Sequence, residues 1–134
     1  MPRILVIDDG PDIRAVLGLM LRASGHEVVV AADGAEGLKR FRERPTDVVI
    51  TDLFMPNQEG METILEFRRD FPNVGIIAMS GETGDGTALS AARSVGAAAI
   101  LEKPFFPNDV MAAIASALRQ EPKASPARNG GCEI

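Results

Sequence analysis

Four short apolar runs, each ending in polar residues, constrain the fold of this chain more than any other feature. The runs cover residues 4–7, 48–51, 76–79 and 97–101, and each has the length of a buried strand. The polar residues that follow the runs are Asp8 and Asp9, Asp52, Ser80, and Glu102 with Lys103. Parallel strands of one sheet would carry these side chains to the same edge, where open α/β sheets bind their ligands. The runs therefore predict a site in which carboxylates, a hydroxyl and an ammonium converge.

Helical patterns alternate with the strand-like runs. The first pattern follows Pro11, which suits the first turn of a helix, and ends at Gly25; we expect Asp8 or Asp9 to cap it. Its apolar residues recur at helical spacing, at Ile13, Val16, Leu17, Met20 and Leu21. The other predicted helices cover residues 35–42, residue 61 to near Pro72, residues 87–95 and residues 108–118. A further strand is predicted over residues 27–32, followed by a turn at residues 33–34.

This alternation predicts an α/β fold. Short connections between parallel strands require right-handed crossovers, which place helices on both faces of the sheet. The predicted architecture is a doubly wound three-layer α/β/α sandwich that forms one domain over residues 2–119. From residue 120 to residue 134 the composition shifts to Pro, Ser, Ala, Asn and Gly, and we expect a disordered tail or the start of a linker there.

Charge and hydropathy argue against two classes of function. Among 134 residues, 14 Lys and Arg stand against 19 Asp and Glu, and the net charge of −5 gives no electrostatic footprint for nucleic acid or an anionic membrane. No apolar stretch approaches the roughly 20 residues of a membrane span, and no leader-like segment opens the chain. We therefore expect a cytoplasmic protein with no membrane insertion and no direct contact with nucleic acid. The single cysteine, Cys132, cannot form an internal disulfide.

The ordered set of strand-end motifs resembles the CheY-like receiver domain of two-component response regulators. The set comprises Ile-Leu-Val-Ile-Asp-Asp at residues 4–9, Asp-Ile-Arg at 12–14, Thr-Asp-Leu-Phe-Met-Pro at 51–56, Gly60, Ser80 and Lys-Pro-Phe at 103–105. Each piece alone is common, but their order at successive strand ends is specific. The resemblance covers about residues 2–119. It implies a flavodoxin-like, five-stranded parallel sheet with strand order 2-1-3-4-5, and a signalling domain rather than an enzyme.

The resemblance also implies a role for each acidic residue. Asp52 would accept a phosphoryl group, while Asp8, Asp9 and Asp52 would bind Mg²⁺, with Mn²⁺ as a substitute and with Asp8 acting through water. Phe54 would add only its backbone carbonyl to the metal site. Two carboxylates about 4 Å apart repel by about 4 kcal/mol at an effective dielectric of about 20, so three together need a compensating cation. The alternative role for these aspartates is to cap loops or helices.

Ser80 and Lys103 are the residues implied to bind phosphate oxygens. Their alternative roles are ordinary ones, since a lysine is usually a solvated surface cation and a strand-end serine often bonds to its own loop. Pro104 is a candidate for a cis peptide bond. The loop that begins at Gly81 and contains three glycines up to residue 86 would respond when Ser80 moves toward the phosphate.

The pattern departs from the family at the position three residues before Lys103. The family commonly has an aromatic residue there that rotates inward on activation, and this chain has Ile100. We therefore expect signalling through the loop after Ser80 and the surface formed by residues 87–118. One alternative places Phe105 or Phe106 at the edge of that surface. We expect both phenylalanines to belong to the core instead. In the family, the residues two positions after the phosphoryl acceptor and two positions after the serine influence hydrolysis of the phosphoryl group; the resemblance assigns these positions to Phe54 and Glu82.

The implied function is a phosphorylation-dependent switch in a two-component or phosphorelay pathway. Its partners would be a sensor histidine kinase or histidine phosphotransfer protein and a downstream protein target, with the domain a monomer or a weak phosphorylation-dependent dimer. The main alternative is a receiver-like interaction module that works without phosphate. A phosphatase of the haloacid dehalogenase type is disfavoured because Asp-x-Asp is absent at Asp9 and Asp52. His26 is expected to face solvent in a turn at the opposite edge of the sheet.

Overall fold

The computed structural model of this protein describes residues 2–52, 60–80, 96–102 and 105–119. The strands in these ranges are β1 (Arg3–Ile7), β2 (Glu27–Ala31), β3 (Val48–Asp52), β4 (Gly75–Ser80) and β5 (Ala99–Glu102). The helices are α1 (Pro11–Ala23), α2 (Gly34–Glu43), α3 (Gly60–Asp70) and α4 (Pro107–Arg119). The helix predicted over residues 87–95 and the tail from residue 120 lie outside the described residues.

The five strands form one parallel sheet in the order β2-β1-β3-β4-β5, as predicted. The register aligns the strand ends that matter for the site. Ile7 in β1 lies opposite Thr51 in β3, so Asp8 and Asp52 follow side by side. Ser80 at the end of β4 lies opposite Glu102 at the end of β5. The carboxyl ends of these four strands therefore share one edge of the sheet.

The core has two halves, one on each face of the sheet, because successive strand residues point to opposite faces. In β1, Ile4 and Val6 join the half that contains α1 and α4. Leu5 and Ile7 join the half that contains α2 and α3. This division confirms the three-layer sandwich, with helices on both faces of the sheet.

Close packing between α2 and β1 explains a glycine in the middle of the helix. A Cβ at Gly37 would lie 2.4 Å from the Cδ1 of Ile7, too close for two carbon atoms. Gly37 thus lets α2 approach the sheet directly beneath the strand that carries Asp8. Phe41, one turn further along α2, packs edge-on against Phe67 of α3 with ring centroids 5.1 Å apart.

Three local predictions were wrong. Gly34 begins α2 rather than ending a turn, because Asp33 caps the helix by accepting a hydrogen bond from the Glu36 amide at 2.8 Å. Phe106 is 70% exposed, since it precedes α4 and points away from the core. Phe105, in contrast, packs against the core as predicted. His26 is half-buried rather than solvent-facing, and its Nδ1 is buried without a hydrogen-bond partner.

In the described ranges, none of the helices combines the length and apolarity needed to cross a bilayer.

Candidate phosphoryl-acceptor and metal site

Three carboxylates meet at the carboxyl edge of the sheet. Asp8 and Asp9 follow β1, and Asp52 ends β3. One carboxylate oxygen from each of the three lies within 4.8 Å of the others. Asp8 and Asp52 are 1% and 4% exposed, whereas Asp9 is exposed. The structure thus brings together the acidic residues that the sequence predicts to converge, with two of them buried and the third open to solvent.

Asp8 is held from both sides. Its amide donates to the carbonyl of Ala31 at 3.1 Å, which continues the pairing of β1 with β2. Its Oδ1 accepts a hydrogen bond from the Gly10 amide at 2.7 Å, the geometry of an Asx-turn. The prediction that Asp8 or Asp9 caps α1 was therefore wrong: Gly10 is the N-cap residue, and α1 has no side-chain cap hydrogen bond. The Asp8 side chain therefore stabilises the turn before α1 and does not cap the helix.

Arg14, which belongs to the Asp-Ile-Arg motif but was given no role from the sequence, contacts this loop. Its Nη1 donates to the backbone carbonyl of Asp8 at 2.7 Å, and the contact is partly buried. The residue is an arginine six positions after Asp8, close enough along the helix to reach back, but an arginine near a helix start is too common to be a signal by itself. The Ala32 amide and Arg40 lower the pKa of Glu36 in the first turn of α2, and the positive charge of Arg14 lowers it further.

Asp52 ends a strand that is buried along its whole length. It lies opposite Met79 of β4. The preceding residue, Thr51, is fully buried, and its Oγ1 donates to the Asp52 carbonyl at 3.3 Å. A carboxylate so placed is anchored by a rigid strand rather than by a loop. Its position relative to Asp8 is set by the sheet.

The donor set fits a hard divalent cation. Mg²⁺ prefers oxygen ligands, uses few carboxylates and keeps several waters. Three carboxylate oxygens from two neighbouring strand ends, one of them open to solvent, match that preference. Clustered anions of this kind also repel one another, so a cation offsets the cost of holding them together.

The remaining predicted site residues are placed only in part. The last residue of β4, Ser80, shares the edge with Asp52. Ile100 is half-buried and pairs with Ala78 in the register of β4 with β5. The other five lie outside the described residues: Phe54, Gly81, Glu82, Lys103 and Pro104.

Comparison with known proteins identifies the family. The family model described as the response regulator receiver domain matches residues 4–115. The probable transcriptional regulator ycf27 of Porphyridium aerugineum is 37% identical over 129 residues, which cover 95% of this chain and 52% of that protein. The DNA-binding response regulator MtrA of Mycolicibacterium smegmatis is 32% identical over 118 residues, which cover 88% and 51%. This chain spans about half the length of these curated relatives.

A solved structure shares both the fold and the extent of the chain. The response regulator receiver domain protein from Clostridium thermocellum has 36% sequence identity to this chain and a TM-score of 0.82. The match covers 88% of this chain and 94% of that one. The parallel sheet in the order 2-1-3-4-5, the carboxylates at its edge and these matches agree: the chain belongs to the response regulator receiver domains, the signalling domains of two-component systems.

Proposed function

We propose that this domain is a phosphorylation-dependent switch in which Asp52 accepts a phosphoryl group. The observation that carries the proposal is the cluster formed by Asp8, Asp9 and Asp52. We assign the function to residues 2–119 and place the domain in the cytoplasm. The donor would be a histidine kinase or a histidine phosphotransfer protein, and a downstream protein would read the change.

The transfer needs positioning more than covalent chemistry from the protein. A carboxylate oxygen of Asp52 forms a bond to phosphorus as the bond from phosphorus to the donor's imidazole nitrogen breaks, and the donor keeps that electron pair. The product is an aspartyl phosphate, and the freed imidazole takes a proton from solvent. The burial of Asp52 on a strand end supports this assignment, because a rigid strand presents the attacking oxygen in a fixed direction.

Asp8, Asp9, Asp52 and the backbone carbonyl of Phe54 would hold Mg²⁺ or Mn²⁺. When bound, the cation neutralises charge that builds up on the phosphoryl oxygens. Lys103 would pair with one of these oxygens, and Ser80 would donate a hydrogen bond to another. The place of Ser80 at the end of β4 supports this role.

Phosphorylation adds about 1.5 to 2 negative charges and strong acceptor oxygens at one point of the sheet edge. The loop from Gly81 would rearrange as Ser80 moves toward the phosphate, and because Ile100 is not aromatic, we assign the output to that loop and the surface around β5. Direct contact with nucleic acid is not part of the proposal for this acidic chain; MtrA, a relative described as DNA-binding, is about twice as long as the region it shares with this one.

Intact-mass analysis tests the proposal. The full chain is incubated with acetyl phosphate and Mg²⁺ as wild type, Asp52→Asn and Asp47→Asn, with and without EDTA. Asp47 is a matched control because it is an exposed aspartate at the opposite edge of the sheet. We expect one phosphoryl group on the wild type and on Asp47→Asn, and none on Asp52→Asn or after EDTA.

Two results would contradict the proposal. Modification of Asp52→Asn to the wild-type extent would place the phosphoryl group elsewhere. If neither acetyl phosphate nor a cognate histidine kinase modified the wild type, the phosphate-independent interaction module would become the better explanation.

A further inference from the structure

We propose that Arg14 is a positioning residue of the acidic site, which fixes the peptide unit between Asp8 and Asp9 and so sets where the Asp9 carboxylate meets the cation. The inference rests on the proposed function, in which Asp9 is a ligand of the divalent cation. It adds a residue outside the set of carboxylates, and one that acts through the backbone.

The contact that carries the inference is the hydrogen bond from Arg14 Nη1 to the Asp8 carbonyl oxygen, 2.7 Å long and partly buried. Hydrogen bonds from a charged donor are short and strong. Because the peptide unit is planar, a carbonyl oxygen held in one direction also fixes the amide nitrogen and Cα of the next residue. The guanidinium therefore acts on the direction in which the Asp9 side chain leaves the backbone.

Arg14 completes a set of restraints on this short loop. The Asp8 amide is bonded to Ala31, and the Gly10 amide is bonded to the Asp8 carboxylate. The Arg14 amide donates to the Gly10 carbonyl at 3.1 Å, the first backbone bond of α1. These bonds hold the residues on either side of Asp9, while the Arg14 side chain holds the peptide that leads into it. Asp9 itself is exposed, so its position depends on the backbone that carries it.

The charge of Arg14 has the opposite effect on cation binding. A guanidinium close to the site repels a divalent cation, so its removal would tighten binding, whereas the loss of positioning would weaken it. Mutation of residues that orient metal ligands typically weakens metal affinity by about 10- to 100-fold. Repulsion between charges near solvent falls at high salt. We therefore expect removal of Arg14 to weaken cation binding overall, because the loss of positioning outweighs the loss of repulsion. The weakening should be clearest at high salt.

The experiment measures Mn²⁺ affinity of the full chain at about 0.5 M KCl, where screening is strong, from the electron paramagnetic resonance signal of the free ion. Intrinsic fluorescence of Trp or Tyr is absent because the sequence has neither residue. The variants are Arg14→Met, Arg14→Lys and the control Arg22→Met, which removes an exposed arginine from the last turn of the same helix. We expect Mn²⁺ binding to weaken about tenfold or more in Arg14→Met, to weaken less in Arg14→Lys, and to stay at the wild-type value in Arg22→Met.

A second readout uses the protein without metal. In ¹H–¹⁵N spectra, Arg14→Met should move the amide signals of Asp9 and Gly10, and Arg22→Met should leave them in place. Equal or tighter Mn²⁺ binding by Arg14→Met would overturn the inference and show that Arg14 acts only as a charge. If Arg14→Met does not fold, Arg14→Lys decides: wild-type affinity with unmoved Asp9 and Gly10 signals would overturn it. A wild type that binds no Mn²⁺ would instead contradict the proposed function.

Discussion

At the scale of single residues, two carboxylates hold the start of α2 beside the acidic site. Asp33 accepts a hydrogen bond from the Glu36 amide, and Glu36 Oε1 accepts one from the Ala32 amide at 2.8 Å. Arg40 pairs with the other Glu36 oxygen at 3.0 Å. The hydrogen bond from the Ala32 amide lowers the pKa of Glu36 most, and the bond from Arg40 lowers it further. This reciprocal cap fixes the loop between β2 and α2 at the same edge of the sheet as Asp8.

The lowered pKa makes the contribution of Glu36 to stability depend on pH. A carboxyl group with a depressed pKa in the folded state stabilises the fold above its unfolded pKa and loses that contribution as the pH falls through its folded pKa. We therefore expect Glu36→Gln to lower the free energy of unfolding at about pH 6, and the difference from the wild type to shrink toward about pH 3. Urea titrations followed by circular dichroism measure this. Glu43→Gln, an exposed site in the same helix, is the control, and a difference that stays constant with pH would contradict the expectation.

We expect Phe54, which lies outside the described residues, to affect the lifetime of the phosphorylated state. It follows Asp52 by two positions, and its apolar ring would shield the phosphoryl group from water. We expect Phe54→Asn to lose the phosphoryl group faster than the wild type. Phosphorylated protein freed of donor and followed by intact mass over time gives the rate. Equal or slower loss in the variant would refute the shielding role.

The residue-level predictions succeeded where strand direction decides position. Asp8, Asp9 and Asp52 converge because parallel strands end at one edge, and this can be read from the sequence. The contact made by Arg14 could not be read from the sequence, since it depends on a side chain that folds back to a backbone carbonyl six residues away. The exposure of Phe106 was missed for a similar reason, because hydrophobicity alone does not show which way a residue before a helix points.

At the scale of elements, the end of α3 is tied to two neighbouring segments through Arg68. Its Nη1 donates to the Pro72 carbonyl at 2.6 Å, and its Nη2 donates to the Val74 carbonyl. Its aliphatic stem and Nε lie against Gly96, which has φ +114°. Burial lowers the pKa of this guanidinium. Arg68 thus joins α3, the loop into β4 and the segment that leads into β5.

Gly96→Ala should destabilise the protein through two effects. A residue with a Cβ is strained at this positive φ by about 1 to 2 kcal/mol, and the Cβ would lie 2.7 Å from the Arg68 Cδ. Gly25→Ala serves as the matched control because Gly25 also has positive φ, 93°, and is exposed. We expect the larger loss of unfolding free energy at Gly96.

A double-mutant cycle isolates the contact with Arg68. In an Arg68→Ala background, the excess cost of Gly96→Ala over Gly25→Ala should disappear, because the side chain that crowds the new Cβ is gone. Urea unfolding gives all the free energies needed. Equal costs at the two glycines in the wild-type background would contradict the contribution of the contact.

The elements themselves follow closely from sequence pattern. The predicted strands and helices in the described ranges match β1–β5 and α1–α4 to within about two residues, which is the usual uncertainty of element ends. Capping also differs from expectation, because Asp33 caps α2 and Gly10 is the cap residue of α1. Cap choice depends on local hydrogen bonds that periodicity does not encode, so it was the least predictable part of the fold.

At the scale of the whole molecule, charged side chains are arranged differently at the amino and carboxyl edges of the sheet. At the amino edge, Glu27 pairs with both Arg3 and Arg44 at 3.2 Å, and the Arg3 amide donates to Asp47. Exposed pairs of this kind contribute little individually. At the carboxyl edge, three carboxylates gather within 4.8 Å. The packed core therefore stabilises the fold, while the carboxyl edge concentrates like charge at the proposed metal site.

This arrangement predicts that one carboxylate costs stability in the absence of metal. Asp9→Asn should raise the free energy of unfolding of the metal-free protein by about 1 kcal/mol, the repulsion expected for an exposed charge about 4 Å from another. It should also lose the added stability that Mg²⁺ gives the wild type, which is about 2.7 kcal/mol when the ion is at 100 times its Kd. Thermal unfolding with and without Mg²⁺ measures both.

The control for this prediction removes an exposed carboxylate next to the site. Asp12→Asn in the first turn of α1 should not stabilise the metal-free protein and should keep the response to Mg²⁺. If Asp9→Asn destabilised the metal-free protein and kept the full Mg²⁺ effect, Asp9 would not be a ligand.

The most direct test of phosphorylation at Asp52 identifies the residue that carries the phosphoryl group. The phosphorylated full chain is reduced with sodium borohydride, which converts an aspartyl phosphate to homoserine, and the digested peptides are sequenced by mass spectrometry. We expect homoserine at position 52 and unchanged aspartate at positions 8 and 9. Homoserine at Asp8 or Asp9, or a phosphorylated protein with no homoserine at position 52, would contradict it.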